Sequence, residues 1–332
     1  QTDLGVDLGF WGNSLQNTAD WFNKKTARML QQMPVPGYLG ESKPWGNVGT
    51  MSNRGAEMEI SYRYSIGDFN FSVGGNVTYV NTILVNAGNE TGVVETASYH
   101  QMGTIARGQN GMVYPYFYGY KTDGVFQNWA EVNSYVNADG KLIQPDAQPG
   151  DFRYVDIDGN GSITAEGDRT MLGKCFAPWI YGFNASIDWK GIDFSMIWQG
   201  VAGNSIFDGT RRTDIPVMNQ PKYVLNRWTG EGSTNEYPRF TNTDPNQNWS
   251  KASSFFIKDA SYFRLKNITL GYTLPAKWTK KVFVKKLRVY AACENAFTFT
   301  NYDGFDPEIA SYMDRGVYPQ ARTVQFGANI TF

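Results

Sequence analysis

The closing stretch Thr323-Val324-Gln325-Phe326-Gly327-Ala328-Asn329-Ile330-Thr331-Phe332 alternates polar and apolar residues without a break and ends on an aromatic. A period of two puts Val324, Phe326, Ala328, Ile330 and Phe332 on one face of a strand, and Gln325, Gly327, Asn329 and Thr331 on the other. The same alternation recurs upstream. Leu4, Val6, Leu8 and Phe10 mark a strand over residues 3–10, and a Trp11-Gly12-Asn13-Ser14 turn leads into a second near residues 15–23. Ala56, Met58, Ile60, Tyr62 and Tyr64 alternate with Glu57, Glu59, Ser61 and Arg63. Beyond a Gly67-Asp68 turn, Phe69, Phe71, Val73, Val77 and Tyr79 oppose Asn70, Ser72, Asn76 and Thr78. Strand five (Phe183, Ala185, Ile187, Trp189) turns at Lys190-Gly191 into strand six, with Phe194, Met196 and Trp198 on one face. Strand seven holds Ile268, Leu270, Tyr272 and Leu274, and strand eight holds Leu287, Val289, Ala291, Cys293 and Phe297.

These make about nine strands, each near the length that crosses a bilayer when tilted. The connections alternate short and long. The long ones fall near residues 30–49, 81–178, 203–260 and 301–320, so all would emerge at one end, the first through a Pro34, Pro36 and Gly37 turn. That asymmetry predicts an antiparallel transmembrane β-barrel with brief periplasmic turns and long extracellular loops. The apolar faces would meet lipid, and Glu57, Glu59, Arg63, Asp188 and Glu294 would face a water-filled lumen. A soluble or surface-anchored glycan-binding β protein is the alternative, because parity alone does not tell lipid from a sandwich core.

Composition agrees with the barrel. Among 332 residues there are 20 Tyr, 21 Phe, 10 Trp and 35 Gly, a mixture that suits strands, interfacial girdles and tight turns. No run is long and apolar enough for a transmembrane helix. With 30 basic and 31 acidic residues there is no electrostatic footprint for nucleic acid. His100 is the only histidine, which leaves no His-based catalytic set or zinc site, and no organic cofactor is signalled. Cys175 and Cys293 make no disulfide framework, and both are read as unpaired thiols. The chain opens at Gln1 inside a strand, with no initiator Met or signal peptide, which reads as part of something longer.

Loops this long are uncommon unless functional, and they carry the candidate chemistry. Asp156, Asp158, Asn160 and Gly161 fit positions 1, 3, 5 and 6 of an EF-hand-type loop, with the Ser162 carbonyl and Ile163 following. Position 12 falls on Gly167, so Asp168 is expected to close the set after a one-residue insertion, around a structural calcium ion. A metal-free acidic turn is the alternative. Tyr114, Tyr116 and Tyr118 form an aromatic run that could contact substrate. Asp303, Asp306 and Glu308 invite a glycoside hydrolase reading, but carboxylates this close in a loop are usually turn-forming or solvated, and no catalytic residues are expected.

Several stretches resemble the carboxy-terminal part of the SusC-like TonB-dependent outer-membrane transporters of the Bacteroidetes. They are Asn53-Arg54-Gly55-Ala56-Glu57, Tyr118-Gly119-Tyr120-Lys121-Thr122-Asp123-Gly124, Asp156-Ile157-Asp158-Gly159-Asn160-Gly161-Ser162-Ile163, Arg264-Leu265-Lys266-Asn267 and Gly271-Tyr272-Thr273-Leu274-Pro275. Asn301-Tyr302-Asp303-Gly304-Phe305-Asp306-Pro307-Glu308 and Tyr318-Pro319-Gln320-Ala321-Arg322 complete the series, in family order. The resemblance implies a barrel of about 22 strands with a plugged lumen, located in the bacterial outer membrane. It also implies TonB as the energy source, a SusD-like surface lipoprotein as partner, and import of a bulky nutrient, an oligosaccharide or a peptide. Nine strands do not close a barrel alone, so the remaining strands and the plug are expected elsewhere.

Overall fold

The computed structural model describes residues 1–32, 40, 44–212, 219–279, 281 and 283–332. In chain order the elements begin with β1 (Thr2–Phe10), β2 (Leu15–Gln32), β3 (Trp45–Ile66) and β4 (Phe69–Asn86). A cluster of short pieces follows: β5 (Val93–Ser98), β6 (Thr104–Gln109), β7 (Tyr116–Tyr120), β8 (Thr122–Val125), helix α1 (Trp129–Ser134), β9 (Phe152–Tyr154) and β10 (Arg169–Lys174). Then come β11 (Trp179–Trp189), β12 (Ile192–Ala202), β13 (Ser205–Asp208), β14 (Ile257–Asp259) and β15 (Tyr262–Thr273). The chain ends with helix α2 (Ala276–Thr279), β16 (Lys286–Thr300), β17 (Met313–Asp314) and β18 (Thr323–Thr331).

The alternating segments form one 9-stranded antiparallel sheet, ordered β1-β2-β3-β4-β11-β12-β15-β16-β18. Each strand pairs with the next barrel strand along the chain, as in an up-and-down barrel wall. The expected faces hold. Ala56 pairs with Tyr79, Tyr79 with Trp179, and Val289 with both Tyr272 and Ala328, all on the apolar side. That side is bare: Leu4 is 67% exposed, Val324 59% and Phe326 83%. An antiparallel sheet whose whole apolar face lacks a protein cover suits a wall against lipid.

The wall is taller on one flank than period two suggested. β2 runs to Gln32 and β3 starts at Trp45, so pairing continues through much of residues 30–49. The Pro34, Pro36 and Gly37 turn lies outside the described residues. The 81–178 stretch, read from pattern as a polar loop, instead holds β5 to β10 and α1. Its short strands pair in a 4-stranded sheet, β10-β7-β6-β5, and a 2-stranded one, β8-β9. They are covered on aromatic packing rather than split between lipid and water, so they do not alternate.

The buried core therefore sits in the long connections. Ile105, Phe117, Phe152, Phe207, Trp249 and Phe256 pack into one apolar cluster, drawn from the 81–178 and 203–260 regions, and Met313 joins it from the last connection. At the loop end of the wall the register shifts between Ile197 and Trp198 in the β12–β15 pairing, and between Leu265 and Asn267 in the β15–β16 pairing. The β-bulge reverses the parity of β15. Leu265 stays paired with Trp198 and Phe297, while Arg264 turns to the Gln199 and Thr298 side, the lumen.

Candidate functional site

Arg264 is the hinge between wall and loops. It is only 4% exposed, and it donates to Asp306 Oδ1 at 2.6 Å, Glu308 Oε2 at 2.8 Å and Thr298 Oγ1 at 2.8 Å. Lys266 adds contacts to Glu308 at 3.0 Å and Gln320 at 3.2 Å. Burial works against the Asp306 charge, but Arg264 and the backbone amides of Gln320 and Glu308 hold its carboxyl below the ordinary range. These carboxylates are consumed in neutralising two cations, so the hydrolase reading has no free acid–base pair here. Asp303, the third member, stands apart on a cavity.

The two longest connections are locked by a buried polar network. Asp151, fully buried, accepts from Arg239 Nε at 2.6 Å, Asn248 Nδ2 at 2.8 Å and the Gln148 amide at 2.9 Å. Gln144 donates to Asn246 at 2.9 Å and accepts from the Tyr154 amide at 2.7 Å. Every buried oxygen on Asp151 thus has a partner from the opposite loop or its own turn, as low dielectric demands.

A cavity of about 620 Å³ opens beside this assembly. Tyr223, Tyr237, Tyr302 and Phe305 line it together with Asp303 and Lys222. Tyr302 donates to Asp314 Oδ2 at 2.5 Å, which fixes its ring, and burial with that contact pushes its hydroxyl pKa up. Rings flanked by two acids, Asp208 and Asp303, and one base, Lys222, suit a ligand with flat apolar faces and polar edges. The sequence reading missed this set because its residues come from two connections more than 60 positions apart.

The tyrosine run lies elsewhere. Tyr116 is 1% exposed, and its hydroxyl accepts from Arg107 and donates to Gln109. Over the Tyr118 ring sit the guanidiniums of Arg107, at 3.4 Å from the centroid, and Arg169, at 4.3 Å. Tyr114 lines a recess of about 40 Å³, room for about one water. None of the three lines the larger cavity.

The acidic loop brings three of its carboxylates together. Asp156, Asp158 and Asp168 each offer a carboxylate oxygen, all within 4.8 Å of one another. Asp156 accepts from the amides of Gly159 and Gly161, both at 2.8 Å, and Gly159 and Gly161 adopt positive φ, which the tight turn needs. Asp168 is fully buried and accepts from the Ile157 and Thr164 amides. Asn160 is turned onto its neighbours: its Oδ1 accepts from Ser162 and its amide donates to Asp158. Glu166 is not part of the carboxylate cluster. An all-oxygen set of this span fits a hard cation. Cys175 is buried, which pushes its thiol pKa up, and Cys293 is partly exposed on the lipid face. Both are free.

Comparison with known proteins agrees with this architecture. A family model described as TonB dependent receptor-like, beta-barrel, matches residues 1–160. TonB-dependent receptor P3 of Formosa agariphila is 29% identical over 351 residues, covering 100% of this chain and 34% of that protein. TonB-dependent receptor SusC of Bacteroides thetaiotaomicron is 26% identical, covering 99% of this chain and 31% of that one. Among solved structures, the RagAB peptide transporter superposes with a TM-score of 0.77 at 21% identity, over 99% of this chain and 34% of that chain. The chain thus spans about a third of the length of the curated relatives it matches. Those relatives are receptors, not enzymes.

Proposed function

Because this chain carries the barrel fold of the SusC-like TonB-dependent receptors, we propose that it builds the loop-bearing wall of an outer-membrane importer for a bulky nutrient, an oligosaccharide or a peptide. The observation that supports this reading most is the sheet itself: an uncovered apolar face, a polar face, and long connections gathered at one end into a packed assembly. Among the described residues β1 and β18 are each bonded on one side only; in the proposed importer the wall would close with further strands around a plug that TonB displaces. The cavity bordered by Tyr223, Tyr237 and Phe305 offers a first contact for ligand. A strain lacking the full-length protein should lose growth on one defined class of glycan or peptide and regain it on complementation. Unchanged growth on every nutrient tried, with no loss of uptake of labelled ligand, would count against import.

The acidic loop is proposed to hold a structural calcium ion on Asp156, Asp158 and Asp168, with the Ser162 carbonyl, and the Asn160 side chain once it turns away from Ser162 and Asp158, adding to the shell. The ion would supply charge neutralisation that stiffens the loop, and no transport step passes through it. Chelation of the purified protein should speed tryptic cleavage after Arg153 and Arg169, which flank the loop, and calcium should reverse the effect. Cleavage indifferent to calcium would leave the turn metal-free.

A further inference from the structure

The far end of the wall has a composition of its own. Between Ser261 and Cys293 the sequence contains no acidic residue, yet it carries Arg264, Lys266, Lys277, Lys280, Lys281, Lys285, Lys286 and Arg288, in a chain whose net charge is −1. Arg264 and Lys266 are absorbed by Asp306 and Glu308 at the loop end. Arg288 is absorbed by Asp193 on the lumen face. Lys277, Lys281 and Lys285 remain exposed in the connection between β15 and β16, and among the described residues no carboxylate forms an ion pair with them.

That connection lies at the short-turn end. The Thr273 amide donates to the Gly191 carbonyl at 2.7 Å, and the Lys285 amide to the Thr331 carbonyl at 2.8 Å, so it sits beside the Lys190-Gly191 turn and the carboxy terminus. Two large apolar side chains stand among the lysines, Trp278 at 55% and Phe283 at 91% exposed. Basic and aromatic residues together, with nothing to cover the rings, are the make-up of a segment lying at a membrane interface.

Directly above it, on the lipid face, the wall is dented. A groove of about 850 Å³ runs across β12, β15, β16 and β18, between Ile192, Leu270, Val289 and Phe326. Its floor is low because Ala291 and Ala328 stand where the neighbouring pairs place larger side chains. From Ala328 to Thr331, which holds Lys285, is three residues, about 10 Å along a strand. An apolar groove on the outside of a sheet, ending in exposed cations at one rim, matches an amphiphile with hydrocarbon chains and an anionic head.

We propose that this corner of the wall seats one anionic phospholipid of the periplasmic leaflet, its acyl chains in the groove and its phosphate on Lys277, Lys281 and Lys285. The seat rests on the outer-membrane reading of the sheet, since short turns mark the periplasmic end. A lipid so held would pin the last two strands and the terminal Phe332 at a fixed depth. A neutral lipid would fill the groove equally but leave the cations without a partner, so the charge of the head decides occupancy.

The test uses the full-length protein in mild detergent, offered equal amounts of dioleoylphosphatidylglycerol and dioleoylphosphatidylcholine, which share chains and differ in charge. Native mass spectrometry should show roughly tenfold preference for phosphatidylglycerol. The Lys277→Gln, Lys281→Gln, Lys285→Gln triple variant should bring the two lipids to parity. Ala328→Trp, which fills the groove and leaves every lysine in place, should lower phosphatidylglycerol retention by about the same factor. Equal retention of the two lipids by the unmodified protein, or a preference untouched by either variant, would overturn the seat. Heat-modifiable gel mobility reports barrel integrity for each variant. Its absence in the unmodified protein would overturn the barrel reading, and the seat with it.

Discussion

Ala328 and Asn329 are adjacent in β18 and face opposite media. Ala328 pairs with Val289 on the bare apolar face, and Asn329 pairs with Arg288 on the lumen face. A lysine at Ala328, near the middle of the strand, should cost about 2–4 kcal/mol, the range for a cation at bilayer depth. Asn329→Lys should be nearly silent, since its side chain stays in water. Detergent-fold stability of the two variants, followed by heat-modifiable mobility, measures the difference, and the reverse order would invert the assignment of faces. This much was legible from parity alone. Arg264 was not. Counting in twos back from Tyr272, Leu270 and Ile268 puts it on the lipid face, where it would be costly. The bulge beside Asn267 moves it by one position into the lumen, where Asp306 and Glu308 wait. A single extra residue in a strand leaves no mark in composition, and it flips every side chain beyond it. Gly271 shows the same point at smaller scale. A side chain there would strike both Asp193 and Arg288, so the missing Cβ is what lets that ion pair form across the strand between them.

Among the elements, the barrel strands were readable and the loop strands were not, for one physical reason. A strand between lipid and water must alternate, whereas β6 and β7 lie within a packed assembly and bury residues on both sides, as in Ile105-Ala106 and Tyr116-Phe117. Nor do the polar groups that join the loops announce themselves. Gln144, Asp151, Asn246 and Asn248 look like ordinary loop residues, yet all are less than a tenth exposed and bonded to one another. Asp151 is the point on which this network turns. Asp151→Ala would leave the Asn248 amide without its acceptor and Arg239 with Gln148 alone, and removal of one member of a buried ion pair costs about 3 kcal/mol or more. The loss belongs to the loops and not to the wall. Limited proteolysis of the variant should therefore cut residues 81–178 and 203–260 quickly, while the sheet keeps its heat-modifiable mobility. Coincident loss of both would mean that loops and wall unfold as one unit.

At the scale of the whole chain, the described residues of the long connections pack around one shared apolar cluster. Packing within these connections buries most of the aromatics that a sequence reading would offer as anchors, including Tyr116, Phe152 and Trp249. Among the described residues, those left well exposed there include Trp129, Phe176, Phe305 and Tyr318, the last 88% exposed, and the apolar Leu225. Large apolar side chains on a surface already stiffened from beneath lose little entropy on contact, which favours a stable partner over transient association. We propose as the occupant of this surface a SusD-like surface lipoprotein closing over the loop end, with a contact of upwards of roughly 1,200 Å². Closure by a separate body would supply what these locked loops do not, a part that moves far enough to admit a bulky ligand and then shield it. Mild-detergent purification of the full-length protein at native expression should therefore bring down a stoichiometric lipoprotein. Replacing Phe305 and Tyr318 by Ser should weaken that recovery by about tenfold, because two central aromatic anchors commonly carry more than 1 kcal/mol each. The buried network of Asp151 and Arg264 is untouched by those replacements, so loop proteolysis should stay as in the unmodified protein. Recovery of the barrel alone, with labelled ligand held by its own loops, would show that the exposed aromatics meet substrate instead of a lid.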